Sequence, residues 1–236
     1  MEANGEALQL FCKAIALDTR LGCAYGMAAW CYVQRKARGW MIERAQESAE
    51  ATRLARKAVQ LGADDPVAQC MGGYALAFVA HKFDDAAAFM DRRLAVNPNL
   101  AQAWLLSSWL RIWRGEPDLA LDHVAQAMRL SPVDPSLDRM LAAAAYAHFL
   151  AGRYDAAFTN AESAMRTNPT FLLTICGFAA SSSLAGRPEQ AKRGLALLLE
   201  CNLGLRASNL KDLLPFRRTE DLAAFAEGLR KAGLPE

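Results

Sequence analysis

The chain has 236 residues, 53% of them hydrophobic and 22% charged, which excludes a disordered or collagen-like polypeptide. Its 27 Lys+Arg against 25 Asp+Glu leave a net charge of +2, too weak a field to point to nucleic acid or an anionic membrane as the main partner. The six cysteines are scattered without a C-x-x-C pair, and no histidine lies near one in sequence. They read as small buried thiols of a cytosolic protein, not as a metal site or a disulfide framework.

The start, Met1-Glu2-Ala3-Asn4-Gly5-Glu6, lacks the basic region and apolar core of a signal peptide. A helix is predicted over 4–19, with Ala7, Phe11 and Ala14 on one face before Leu17-Asp18-Thr19. A helix pair follows over 20–63, carrying an insertion around Arg35-Lys36-Ala37-Arg38-Gly39-Trp40 between its helices. The pair at 64–98 has Gly72-Gly73 inside its first helix, read as a close helix contact, and ends through Ala86, Met90, Arg93 and Asn97-Pro98. Acid pairs Asp64-Asp65 and Asp84-Asp85 stand at helix starts, where carboxylates favour the dipole.

The clearest pair covers 99–132. Trp104, Ser107, Ser108 and Arg111 lead to Gly115 and Pro117, then Ala120, Val124, Ala127 and Leu130-Ser131-Pro132. In the pair at 133–169, Ala157, Ala161 and Ala164 precede Asn168-Pro169, and Val133-Asp134-Pro135 should lengthen the first helix or its approach. The last pair spans 170–203. Gly115, Gly152 and Gly186 are expected as left-handed caps, with Pro117 and Pro188 opening the next helix. The uncharged stretch from Thr167 to Gly186 reads as a buried helix, since its serines and Asn168-Pro169 make it a poor membrane span. The remainder, 204–236, is not a repeat. A short helix is expected to end at Leu213-Leu214-Pro215-Phe216. Thr219 should then cap a helix over 220–232, with Leu222, Phe225, Ala226 and Leu229 on its apolar face and Gly233 as its stop.

Pro98 and Pro132 are 34 positions apart, and Pro132 and Pro169 are 37. With the aromatic, small, glycine, alanine and proline positions of Trp104 through Pro132, this resembles the tetratricopeptide repeat. The resemblance implies an all-α, right-handed α-solenoid of about five and a half helix–turn–helix repeats plus a C-terminal capping helix. The repeat array is placed at 1–203 and the capping segment at 204–236. Because the chain opens within what should be a second helix, a preceding helix or domain is expected. Leu214-Pro215-Phe216-Arg217 with Gly228-Leu229-Arg230-Lys231-Ala232-Gly233-Leu234-Pro235 also resembles the ends of tetratricopeptide regions in bacterial class III adenylate/guanylate cyclases and winged-helix regulators.

In that family the first helix of each pair lines an inner groove. Spacing places Trp30, Met71, Phe78, Trp109, Trp113, Arg139, Tyr146 and Phe149 on this side. Large rings on an open face mark a partner site, so these eight are the candidate partner-binding groove. The competing reading is that the rings pack on one another, on the insertion or on the C-terminal helix. A chaperone-type carboxylate clamp would need Lys and Asn where Gly26 and Trp30 stand, and is not expected.

No phosphate loop, nucleophile elbow or metal-ligand spacing occurs, so no catalytic, cofactor or metal residue is nominated. The expected function is a non-catalytic protein–protein interaction and regulatory module of a bacterial, cytoplasmic, multidomain signalling protein, its partner a protein or peptide. The alternative is a stand-alone adaptor that homodimerises through Trp109 and Trp113. Neither a membrane nor, despite the basic insertion with its Trp40, nucleic acid is expected as partner.

Overall fold

Glycine supplies the turn in most helix pairs, because only a residue without Cβ takes a positive φ at no steric cost. Gly115, Gly152 and Gly186 have φ of 78°, 72° and 72°. The same turn in the pair containing Gly72 is made by His81 at φ 57°, the one non-glycine residue in this region of the backbone map. In each case the N-cap residue comes next and the following helix starts one residue later, twice with proline.

The computed structural model describes residues 1–236. Its helices are α1 (Glu2–Leu17), α2 (Gly22–Ala37), α3 (Arg44–Leu61), α4 (Pro66–Phe78), α5 (Phe83–Val96) and α6 (Ala101–Arg114). They continue as α7 (Pro117–Leu130), α8 (Leu137–Leu150), α9 (Tyr154–Thr167), α10 (Leu172–Leu184) and α11 (Pro188–Cys201). A 3-10 helix, Ala207–Asp212, precedes α12 (Thr219–Ala232), and there is no strand. The architecture is an all-α helical repeat solenoid. Two compact units divide the chain, Met1–Leu110 and Arg111–Glu236, the division falling within α6.

In the first unit, α2 packs on α3 and α4, α3 on α4, α4 on α5, and α1 on α2. Small side chains allow this: Ala28, Ala29, Ala51, Ala55 and Ala58 are fully buried. A Cβ on Gly26 would stand 3.0 Å from Ala68 Cα, and one on Gly72 3.0 Å from Ala55 O. Gly72 is therefore the close contact read from the sequence; Gly73 has room, with Phe89 Cβ 3.8 Å away. Asp65 caps α4 by accepting from the amides of Val67 (2.9 Å) and Ala68 (3.2 Å).

The insertion is absorbed into regular structure. It lengthens α2 to 16 residues and α3 to 18, leaving 38–43 as connector. The three residues at Val133-Asp134-Pro135 do the opposite: α8 keeps 14 residues and the approach from α7 grows.

In the second unit, α8 packs on α7 and α9, and α10 on α8, α9, α11 and α12. This explains α10, whose residues are buried on nearly every side. The uncharged stretch is thus a core helix. No helix in the chain is long and apolar enough to cross a membrane.

Candidate functional site

The eight groove candidates separate by burial. Phe78, Trp109, Trp113, Tyr146 and Phe149 are buried, while Trp30, Met71 and Arg139 are half-buried.

In the second unit the cause is the chain's own C-terminal segment. Phe216 meets Trp113 edge-on at 5.2 Å between ring centres. Phe225 of α12 stacks on Tyr146 at 4.7 Å and lies 4.2 Å from Phe149. Phe216 and Phe225 are 5.5 Å apart, and Trp113 meets Tyr146 at 5.9 Å, so the five rings form one continuous packed group. Such pairs add to the large apolar area they bury. Trp113, Tyr146 and Phe149 are thereby buried, the arrangement of the competing reading in which the rings pack on one another and on the C-terminal helix. The reason is that α12 turns its apolar stripe onto the inner side of α8 and α10 instead of only shielding the end.

The backbone fixes this arrangement. Arg217 N–H donates to Trp113 O (2.8 Å), and Ala207 N–H to Pro235 O (2.9 Å). Arg218 donates to Gly115 O (3.2 Å) and pairs with Glu220 (2.8 Å) and Asp221 (3.5 Å). Burial pushes the Asp221 carboxyl above its usual range, with Arg218 opposing. Gly228 makes the close approach possible, since a Cβ there would lie 3.0 Å from Ala180 O. Helix α12 ends at Gly233, φ 108°, as expected from the sequence. Its start differs: Thr219 is the first helical residue, Arg218 is the N-cap, and no side chain caps it.

Beneath these rings the Tyr146 hydroxyl donates to Leu173 O (2.9 Å), and burial raises its pKa well above the ordinary phenol value. Burial likewise pushes the Cys176 thiol up to about 12 and Cys70 up to about 11, so neither forms a thiolate near neutral pH. Cys31, Cys70 and Cys176 are buried, but Cys23 is half-buried and Cys12 and Cys201 are exposed, which corrects the reading of all six as buried thiols.

The first unit carries a different ladder. Trp30 meets Tyr74 at 5.9 Å, Tyr74 stacks on Phe78 at 5.6 Å, and Lys36 lies 5.2 Å over the Phe78 ring. Lys36 also donates to Phe78 O (2.7 Å), satisfying a carbonyl at the end of α4. Trp30 is the accessible end of this ladder. Met71, also half-buried, stands one turn before Tyr74 on α4.

The basic residues of the insertion are engaged within the chain. Arg35 donates to Asn4 Oδ1 (2.8 Å) and pairs with Glu47 (3.0 Å), and Asn4 in turn donates to Cys31 O (3.1 Å). Arg38 sits over Trp40 at 5.1 Å. These contacts tie α1, α2 and α3 together and occupy the charges and ring that a phosphate-and-stacking site would use. Arg139 lies 6.0 Å over Phe171. No group of three or more His, Cys, Asp or Glu side chains is placed to hold a metal ion.

Comparison with known proteins adds fold-level evidence. No family model matches the sequence, and no curated protein matches it. Solved structures do. PilW, a type IV pilus biogenesis factor, aligns over 80% of this chain and 83% of its own at 16% identity and TM-score 0.59. The Cut9–Hcn1 structure of the APC/C aligns over 98% of this chain and 39% of its own at 14% identity and TM-score 0.68. MamA from Desulfovibrio magneticus RS-1 aligns over 74% of this chain and 95% of its own at 17% identity and TM-score 0.52. These neighbours are tetratricopeptide-repeat proteins.

The chain shares the all-α helical-repeat fold of these structures. At such identities the likeness extends to fold alone.

The sequence reading left the C-terminal helix as one possible cover of the rings without assigning residues to that role, which Phe216, Phe225 and Gly228 fill; Lys36 as a helix-end donor it missed. Phe225 and Gly228 were visible as an apolar stripe and a small residue on one helix. Nothing in that spacing said which surface they would meet.

Proposed function

We propose that this chain is a non-catalytic protein-interaction module of the tetratricopeptide type, contacting a protein or peptide through the Trp30 and Met71 side of its first unit. The observation that supports this most is the contrast in burial among the candidates: Trp30 and Met71 stay half-buried, while the rings of the second unit are covered by the chain itself. A half-exposed Trp backed by stacked rings is a preorganised anchor, because little side-chain freedom remains to be lost on binding. Arg139, half-buried in the second unit, is the remaining candidate contact there.

The wider setting we propose is a bacterial, cytoplasmic, multidomain signalling protein, either an adenylate/guanylate cyclase or a transcription regulator. Support comes from the likeness of the ending, Leu214 through Arg217 and Gly228 through Pro235, to the ends of such regions. In this fold those positions have structural work: Leu214, Leu229 and Leu234 are buried. The likeness therefore speaks for shared architecture first.

The test is a photo-crosslinking amino acid at position 30, with exposed Lys211 as the comparison site. Discrete protein adducts at 30, lost on Met71→Asp, support the reading. Adducts at 30 no stronger than at 211 contradict it. Sequencing upstream of Met1 tests the setting separately.

A further inference from the structure

Charge is segregated along α3. Glu47 pairs with Arg35 (3.0 Å) and Glu50 with Arg53 (2.7 Å), so the acids of this helix are neutralised within the chain. Further along, Arg56 and Lys57 are exposed and pair with no carboxylate, and the same holds for Lys82 in the turn between α4 and α5. These three cations, with Arg53, Val79 and Ala80, line a groove of about 690 Å³. No acidic and no aromatic side chain lines it. In a chain whose 27 Lys+Arg nearly balance 25 Asp+Glu, this is a local excess of one sign, and a concave wall focuses its field.

We infer that this groove binds an acidic peptide segment of a partner protein. Its carboxylates meet the uncompensated Arg56, Lys57 and Lys82, and an apolar side chain among them meets Val79 and Ala80. Arg53 spends Nε and Nη2 on Glu50 and keeps Nη1 for a further acceptor. Arg53 and Lys57 stand one turn apart, about 6 Å along α3, close to the ~7 Å between alternate residues of an extended chain. Successive side chains of such a segment point to opposite sides, so neighbouring acids reach α3 on one wall and Lys82 on the other. Glu47 and Glu50 repel the segment at the far end of α3 and so confine its acidic stretch to the groove. Single-stranded nucleic acid would need rings for its bases, and the groove offers none.

The walls of the groove belong to α3 and to the α4–α5 turn, inside the first unit. None of its residues is on the Trp30 and Met71 side, so this is a second site, and its test is independent of crosslinking at position 30.

Fluorescence anisotropy of the whole chain, titrated to about 500 µM at low salt, tests this. The probe is a fluorescein-labelled peptide of about eight residues, Asp and Glu around one central Leu. Saturable binding that weakens as salt rises is expected. Arg56→Glu with Lys57→Glu should weaken it at least roughly tenfold, and Lys82→Glu by about threefold or more. Lys13→Glu with Arg20→Glu, the same charge change at two exposed cations elsewhere in the first unit, should leave it unaltered. Circular dichroism should be unchanged in every variant, since all these side chains are exposed. No binding over the range overturns the inference. So does an equal loss in the Lys13/Arg20 control, which would make the attraction a diffuse one, and so does tighter binding of a single-stranded RNA of matched charge than of the peptide.

Discussion

Two inward faces built from the same kind of helix meet different fates. In the second unit, Trp113, Tyr146 and Phe149 are covered by Phe216 and Phe225 of the chain's own end. In the first, the ladder Trp30–Tyr74–Phe78 stops at a half-buried tryptophan. A ring at an inner-face position is therefore not by itself a binding residue. What decides its role is whether the chain supplies something to cover it.

The largest expected effect breaks the covered side. Phe225→Ala should cost about 3–5 kcal/mol of folding stability in a denaturant titration, since a fully buried ring leaves a cavity. Trp113→Ala belongs to the same class. The pair Trp109→Ala with Trp113→Ala should unfold much of the domain, because both rings are core here. Trp30→Ala sharpens the contrast: about 1 kcal/mol or less of stability, with loss of the crosslinked partner. A Trp30→Ala cost equal to that of Trp113→Ala would erase the difference between the two faces.

Next in size is Gly228→Val, which should cost about 1–3 kcal/mol by forcing α12 away from α10. The same change at Gly152, an open position, reports only the left-handed strain at φ 72°.

Much of the fold was legible because its punctuation is local. Gly115, Gly152 and Gly186 announced their turns, and alanines at four-and-three spacing announced the contact faces. His81 was not legible as a turn residue, since no glycine marks it. Its place became clear only from the neighbouring turns it matches. The stripe of Leu222, Phe225, Ala226 and Leu229 said that α12 buries one face. An amphipathic stripe carries no information about which surface receives it, so the covering of Tyr146 and Phe149 waited for the three-dimensional arrangement. Thr219 was misplaced by one position because cap preference is a weak local signal, and here the approach is held by the contacts of Arg217 and Arg218.

Two smaller effects follow from the histidines. His81→Gly should stabilise the first unit by about 0.5–1 kcal/mol by relieving a left-handed side chain, less the edge contact of His81 with Phe83 at 5.8 Å. Burial lowers the pKa of His81, helped by Lys36, and that of His148, helped by Arg153. The folded state thus resists protonation relative to the unfolded chain, whose histidines titrate near 6.5. Stability should be flat above that pH and decline as pH falls from 6.5 toward the lowered folded values. Thermal melts of wild type and His148→Gln across that window should converge at the acidic end if His148 carries part of the decline.

Removal of residues 205–236 tests the contrast between the faces most directly. With its cover gone, the second unit should bind a hydrophobic dye strongly, expose Trp113 to quenching and lose a cooperative melt, while the first unit keeps its helicity. A truncated chain that melts as sharply as the full one, with Trp113 still protected, would contradict the account.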